Sequence, residues 1–331
     1  MLLLRLSTKN SRMLNCSSIN IATFVTEQEY SDMNTKKLVV FLLCVMVPMI
    51  GLGLLMHSIA GQASAAGVDA VNSNPMAAIL VSLLTTVAMM LPLLAVVLTQ
   101  VIFKEPVLKG LGVSFKLNRW WVIGWLLMPV IALAVVGVTL LMPGAKWTPD
   151  SELIQMSLQA MPEGIGLWGF IAISIVSGLF AGLTLNALFA FGEEIAWRGF
   201  LMKEFKGKKF LTVALWTGII WGFWHAPIIL NGHNYPQHPV AGVFMMVVFC
   251  LLLTPILMYF RIKSRSVIVP AIMHGTFNGV VGLSLLLVTP ANDLLYGASG
   301  LAGFIVLLLL NLCIYLYDRY ISKENITTLP L

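Results

Sequence analysis

Charge is what this sequence has least of. Lys, Arg, Asp and Glu together make up 10% of its 331 residues, against about 25% in an ordinary soluble domain. With 59% hydrophobic residues and a mean hydropathy of +0.91, there is too little polar surface to cover a water-soluble fold of this size. Cysteine is sparse too. Cys16, Cys44, Cys250 and Cys313 are scattered and form no CxxC pair, which argues against a disulfide framework or a thiolate zinc site. The ten-residue alternation of a membrane β-barrel is missing, and so is an inverted repeat of the transporter kind. The net charge of +6 sits in short clusters between apolar runs, a topology signal rather than a nucleic-acid site.

What the sequence does have is long apolar runs, at 38–56, 77–103, 120–142, 167–202, 211–230, 240–260, 267–288 and 300–317. Each approaches the ~20 residues that cross ~30 Å of hydrocarbon. They predict an all-α, polytopic membrane bundle of about eight transmembrane helices, each satisfying its own backbone in lipid. The fourth run is too long for one simple span; containing Gly178 and Gly182, it is expected to bend or to begin as a separate short helix.

The connections alternate in charge. Lys36 and Lys37 precede the first span, and the loop 57–76 has no Lys or Arg. Lys104, Lys109, Lys116 and Arg119 follow, then a loop 143–166 with one Lys against three acids. Lys203, Lys206, Lys208 and Lys209 come next, then an uncharged loop 231–239, then Arg261, Lys263 and Arg265. Loop 289–299 carries only Asp293, and the tail carries Arg319 and Lys323. The positive-inside rule then puts both termini in the cytosol, as expected for a bacterial inner-membrane protein. Residues 1–36 read as an N-terminal tail. Residues 1–32 have no signal-peptide pattern. Met33-Asn34-Thr35-Lys36-Lys37 resembles a bacterial start, so 1–32 are expected to be disordered or upstream of the true initiator. Residues 37–160 hold spans one to three, 161–290 spans four to seven, and 291–331 the last span and tail.

A charged side chain near the bilayer centre costs ~2.5–3.5 kcal/mol on insertion scales, so each one tolerated there points to function. Three places stand out. In Gly192-Glu193-Glu194-Ile195-Ala196-Trp197-Arg198, Glu194 and Arg198 are an i, i+4 pair in the favourable order. Glu193 points ~100° away, without an intrahelical partner, and is a candidate general base. A structural ion-pair network is the bland alternative. The second is His225 in Trp221-Gly222-Phe223-Trp224-His225, where a core histidine bonded to a carbonyl is the alternative. The third is His274 and Asn278, four apart on one helix face, where interhelical hydrogen-bonding is the alternative.

Depth couples the three. Counted from the cytosolic boundaries at ~1.5 Å per residue, Glu193 is about 15 Å deep, His225 about 22 Å and His274 about 14 Å. One layer can hold them all. Glu193, His225 and His274 would then bind Zn²⁺ and leave a position for water, or Glu193 and His225 would activate water without a metal. Asn278 can donate to an oxyanion in either scheme.

The order EExxxR, aromatic-xxx-His, HxxxN resembles the CAAX-protease and bacteriocin-processing (CPBP, or Abi) family of intramembrane metalloproteases, over about residues 170–290. The resemblance implies a helical bundle with a cavity reached from the membrane. It implies peptide-bond hydrolysis by Glu193, Glu194, Arg198, His225, His274 and Asn278. The family's second motif usually reads FxxxH, whereas position 221 is Trp. The expected function is an intramembrane endopeptidase acting on a membrane-associated peptide or protein, with the lipid bilayer as its other partner. A non-catalytic peptide-binding or bacteriocin-immunity protein is the alternative from another class, followed by a proton-coupled transporter with Glu193 as carrier.

Other polar residues read as structural. His233 and His238 are expected to be polar loop residues, with a metal site at that face as the alternative; His57 is expected to be interfacial and Asn186 helix-to-helix glue. Trp120, Trp121 and Trp168 fit an aromatic belt. Asn325-Ile326-Thr327 has a glycosylation pattern, but its cytosolic placement argues against use.

Overall fold

The computed structural model describes residues 34–65, 75–289 and 292–331. The expectations about residues 1–32 and Met33 lie outside them. The helices are α1 (Thr35–Ala65), α2 (Pro75–Ala88), α3 (Leu91–Ile102), α4 (Arg119–Leu140), α5 (Glu152–Gln159), α6 (Leu167–Leu183) and α7 (Leu185–Glu194). Helix α7 continues as a π-helical turn, Ile195–Leu201, and ends at Glu204. There follow α8 (Phe210–Trp224), α9 (Ala226–Ile229), α10 (Pro239–Ser264), α11 (Ile268–Val280), α12 (Leu283–Leu286) and α13 (Leu301–Leu316). A two-residue antiparallel pairing, β1 (Lys146–Trp147) with β2 (Val288–Thr289), clips two loops together.

Among the described residues, seven helical stretches are long and apolar enough to cross a membrane, and there are eight when α6 and α7, bent by 53° at their junction, are counted as one span. This matches the eight runs of the sequence. The bundle is apolar outside as well as inside: Leu43, Phe180, Leu215, Phe244 and Leu308 face outward. That is the surface of a protein solvated by lipid, with the costly polar groups turned inward.

The break between α6 and α7 falls at Thr184, whose φ −122°, ψ −110° lies outside the helical region. The fourth run is thus two helices with a bend, as expected, but the break lies at Thr184 and not at Gly178 or Gly182. The two glycines sit instead where α6 meets α11. A Cβ on Gly178 would lie 2.5 Å from Val280 Cγ1 and 2.8 Å from the Gly279 carbonyl, and one on Gly182 would overlap Thr276. Gly275 plays the same part from the other helix, where a Cβ would come within 2.6 Å of the backbone of Asn186 and Ala187. Small residues let membrane helices approach this closely. Asn186 is glue, as expected: its Nδ2 donates to the Gly275 carbonyl at 3.1 Å. The seam fixes α11 against α7, and so fixes His274 relative to the two glutamates.

The loops gather into two faces. On the Lys/Arg-rich face, Lys203 bonds Glu105, Asn118 bonds the Ser264 carbonyl, and the Gly207 and Phe210 amides donate to Leu331 and Leu329. Lys37 is not a free topology charge. It is buried and bonds both Glu105 (2.7 Å) and Glu204 (2.6 Å). Burial would raise the Glu105 carboxyl, but the hydrogen bonds and charges of Lys203 and Lys37 hold it below the usual carboxylate range. On the opposite face, Tyr235 Oη donates to the Ser299 carbonyl (2.7 Å) and His238 Nδ1 lies 2.7 Å from Asp293. Tyr296 Oη donates to the Pro143 carbonyl there (2.9 Å).

Candidate active site

Glu193 and Glu194 are the last two residues of α7, immediately before the π-helical turn that carries Arg198. Such turns recur at functional sites because they offset side chains from the ordinary helical spacing. All three side chains are essentially fully buried. The expected pair forms, with Arg198 donating to Glu194 Oε1 at 2.9 Å. Arg198 also donates to Thr254 of α10 at 3.1 Å.

Glu194 Oε1 has a second partner that local spacing does not reveal: His274 Nδ1 of α11, at 2.9 Å. Because the acceptor is a carboxylate, Nδ1 carries the proton and Nε2 is the ring's other position. One carboxylate oxygen thus orients an arginine and an imidazole from two helices.

Glu193 is not without an intrahelical partner. Trp197 Nε1–H, one turn on, points to its Oε2 at 3.4 Å, and Trp221 Nε1–H of α8 donates to the same oxygen at 2.7 Å. Position 221 is where the resembled family has Phe, which has no donor to offer. Trp221 is also the residue around which the others gather. The Arg198 guanidinium lies 4.2 Å from its ring centroid, and the His274 and His225 rings lie 5.5 and 5.9 Å from it. Its carbonyl accepts the Nδ1–H of His225 at 2.8 Å, leaving Nε2 of His225 as the acceptor. Pinning one ring nitrogen to a carbonyl sets both tautomer and orientation.

Glu193, Trp221, His225, His274 and Asn278 line one cavity of about 420 Å³. The three helices therefore bring their ionisable groups to one place, as depth counting predicted. Asn278 is exposed to that cavity, whereas Glu194 and Arg198 stand behind it. His233 is a loop residue, as expected, and from that loop it lines the same cavity with Asn234. Burial holds its imidazole below the usual histidine value, so the ring it presents is neutral.

A metal ion tests the donor set. Among the described residues no three His, Cys, Asp or Glu side chains converge so as to hold one. The expected trio of Glu193, His225 and His274 is turned to other partners: Glu193 to two indoles, His274 to Glu194, His225 to a backbone carbonyl.

Fold and site define a polytopic helical membrane protein with a carboxylate–imidazole centre enclosed by its spans. Residues 167–280, roughly a third of the chain, match the family model described as Rce1-like, type II CAAX prenyl endopeptidase. The match covers α6 to α11 and contains the three motifs on which the resemblance was read, so the two agree on the same segment. No curated protein was found to match the chain.

Proposed function

We propose that the protein is an intramembrane endopeptidase hydrolysing a peptide bond of a membrane-associated peptide or protein. The observation that carries the reading is the convergence of Glu193, His225 and His274 around Trp221 in one cavity inside the bundle. The family matched by residues 167–280 is described as an endopeptidase, which points the same way.

The roles follow from the contacts. Glu193 is the general base and takes a proton from water as the water oxygen adds to the scissile carbonyl carbon. Trp221 holds the carboxylate oxygen that does not receive the proton. Asn278, exposed to the cavity, donates to the oxyanion formed at the carbonyl oxygen. The C–N bond then breaks, and the proton held on Glu193 passes to the leaving amine. Glu194 keeps His274 in one orientation, as the carboxylate of a catalytic triad does for its histidine, and Arg198 offsets the charge of Glu194. His225, with Nε2 as acceptor, orients the water. The steps are assigned to the chain's own side chains and none is routed through Zn²⁺, since among the described residues no three His, Cys, Asp or Glu side chains are arranged to hold one ion.

The test is cleavage of quenched apolar peptides in detergent and in liposomes by wild type, Glu193→Ala, His225→Ala and His274→Ala. Cleavage by wild type and loss in the variants is expected; equal activity in all four proteins contradicts the site. Metal analysis of the active protein, with and without His225, separates the metal-free reading from one with Zn²⁺. A bound stoichiometric divalent ion lost in His225→Ala would favour the latter.

A further inference from the structure

A peptidase enclosed in a bundle must admit its substrate from one side, and the lining of this cavity differs sharply between its two ends. Beyond the catalytic set, the residues outside helices that line it are Met89 between α2 and α3, beside Gly192, then His233 and Asn234 after α9, Val281 and Gly282 before α12, and Ala298 and Ser299 before α13. Ser284 and Leu285 of α12 lie at the same end. All but Met89, which lies within the span Ile79–Ile102, belong to the face opposite the Lys/Arg-rich loops. Among the described residues, no lining residue comes from the loops 103–118, 205–209 or 265–267, or from the tail after Leu316.

The Lys/Arg-rich end is instead packed shut. Below Glu193, Trp197 stacks edge-on to Trp224 (5.9 Å) and to Phe41 (6.2 Å), and Phe41 lies 4.6 Å from Phe200. These side chains are buried. Beneath them, Lys37, Glu105, Lys203 and Glu204 close an ion-pair network. Opening this end would break several charge-assisted bonds and part an aromatic cluster, whereas the other end carries exposed Asn278, Gly282 and Leu285.

The lining is also selective by charge. Glu193 is its one carboxylate and no Lys or Arg is present among the described lining residues. A free carboxylate terminus would find no fixed cation there, and an acidic side chain would face Glu193. The remaining walls alternate neutral polar groups (Thr85, Asn234, Ser299) with apolar ones (Met246, Phe249, Phe277). The volume suits a short extended segment, being within the ~300–1,000 Å³ of ordinary ligand sites.

We propose that the cavity is loaded from the face opposite the Lys/Arg-rich loops, and that it takes an uncharged, apolar internal stretch of peptide. This rests on the peptidase reading, and by the positive-inside rule that face is the non-cytosolic one. The substrates are then peptides presented from outside or from the outer leaflet, not cytosolic chain ends.

Sealed vesicles of known orientation test it. Orientation is set by an impermeant maleimide on Lys206→Cys, which marks the Lys/Arg-rich face, with wild type controlling for the protein's own cysteines. The probe is a quenched peptide with an apolar core and bulky hydrophilic tails that keep it outside. Vesicles in which Lys206→Cys is shielded should cleave it, and vesicles in which it is labelled should do so only after detergent. Cleavage confined to vesicles with Lys206→Cys outward would overturn the proposal. A core bearing Lys or Glu should be cleaved poorly; equal cleavage would remove the charge selectivity. Wild type inactive even in detergent would count against the peptidase reading instead. In that case Ser299→Cys still decides access: labelling from the face that leaves Lys206→Cys silent supports it, and labelling from the Lys206 face overturns it.

Discussion

The indole N–H of Trp221 donates to Glu193 Oε2 at 2.7 Å, from one transmembrane helix to the next. Position 221 carries an aromatic ring that also lies against Arg198 and two imidazoles, so ring and donor can be separated by substitution. Trp221→Phe keeps an aromatic ring and the backbone carbonyl that orients His225, and removes the donor together with part of the buried ring. A hydrogen bond to a charged group contributes about 1.5–3 kcal/mol, so kcat should fall roughly ten- to a hundredfold, with a lower melting temperature from the smaller ring. Trp197→Phe removes the longer 3.4 Å contact and should cost less. Kinetics on both purified variants check this.

The seam between α7 and α11 makes a second prediction. Gly275→Ala adds a Cβ 2.6 Å from the Asn186–Ala187 backbone, which is not free to move as a side-chain end is. Overpacking of this kind costs about 1–3 kcal/mol. A lower melting temperature in detergent is expected, with activity reduced because His274 shifts relative to Glu194. Gly51, with nothing within 4 Å of an added Cβ, is the control; Gly51→Ala should melt as wild type or slightly higher.

The buried pair Glu194–Arg198 should behave asymmetrically. Arg198→Met alone leaves a buried carboxylate without its guanidinium, a change that costs about 3–5 kcal/mol in other proteins. Glu194→Leu combined with Arg198→Met removes both charges, at the smaller cost of the neutral His274 hydrogen bond. The double variant should therefore melt above the single one, though neither should cleave peptide. Melting curves of the two, measured together, decide it.

Acid lability follows from the Lys37–Glu105–Lys203 cluster. Glu105 titrates below the ordinary carboxylate range in the folded protein, so the stability it contributes is present above the ordinary value of 4.5 and is lost as pH falls through the lowered one. Glu105→Gln should lower the melting temperature at neutral pH and flatten its decline in acid. Because Glu105 is partly exposed, high salt should shrink the difference.

Much of this was legible in the residues. Apolar runs and the alternation of Lys and Arg are composition signals, and they marked out eight spans because lipid enforces them along the whole chain. Glu194 with Arg198 was legible because i, i+4 geometry is local. What escaped is contact between helices. Nothing in the spacing says that His274 turns to Glu194, or that Lys37 folds inward to Glu105 and Glu204. Trp221 looked like a departure from FxxxH. Its donor matters only once α8 is rotated toward Glu193. The bend was assigned to Gly178 and Gly182 because glycine marks flexibility, whereas here it marks close approach, and Thr184 bends instead. His233 was set aside as a loop residue because loop length does not tell which loops fold over a cavity.

The most direct test of the central claim is the turnover of Glu193→Gln against wild type on the same peptide in the same detergent. The amide keeps the size of the side chain and can still accept from Trp221, but it cannot take a proton from water. A general base contributes about 10²–10⁴-fold, so kcat should fall by at least about a hundredfold while the melting temperature stays close to wild type. Undiminished turnover in Glu193→Gln would contradict the account.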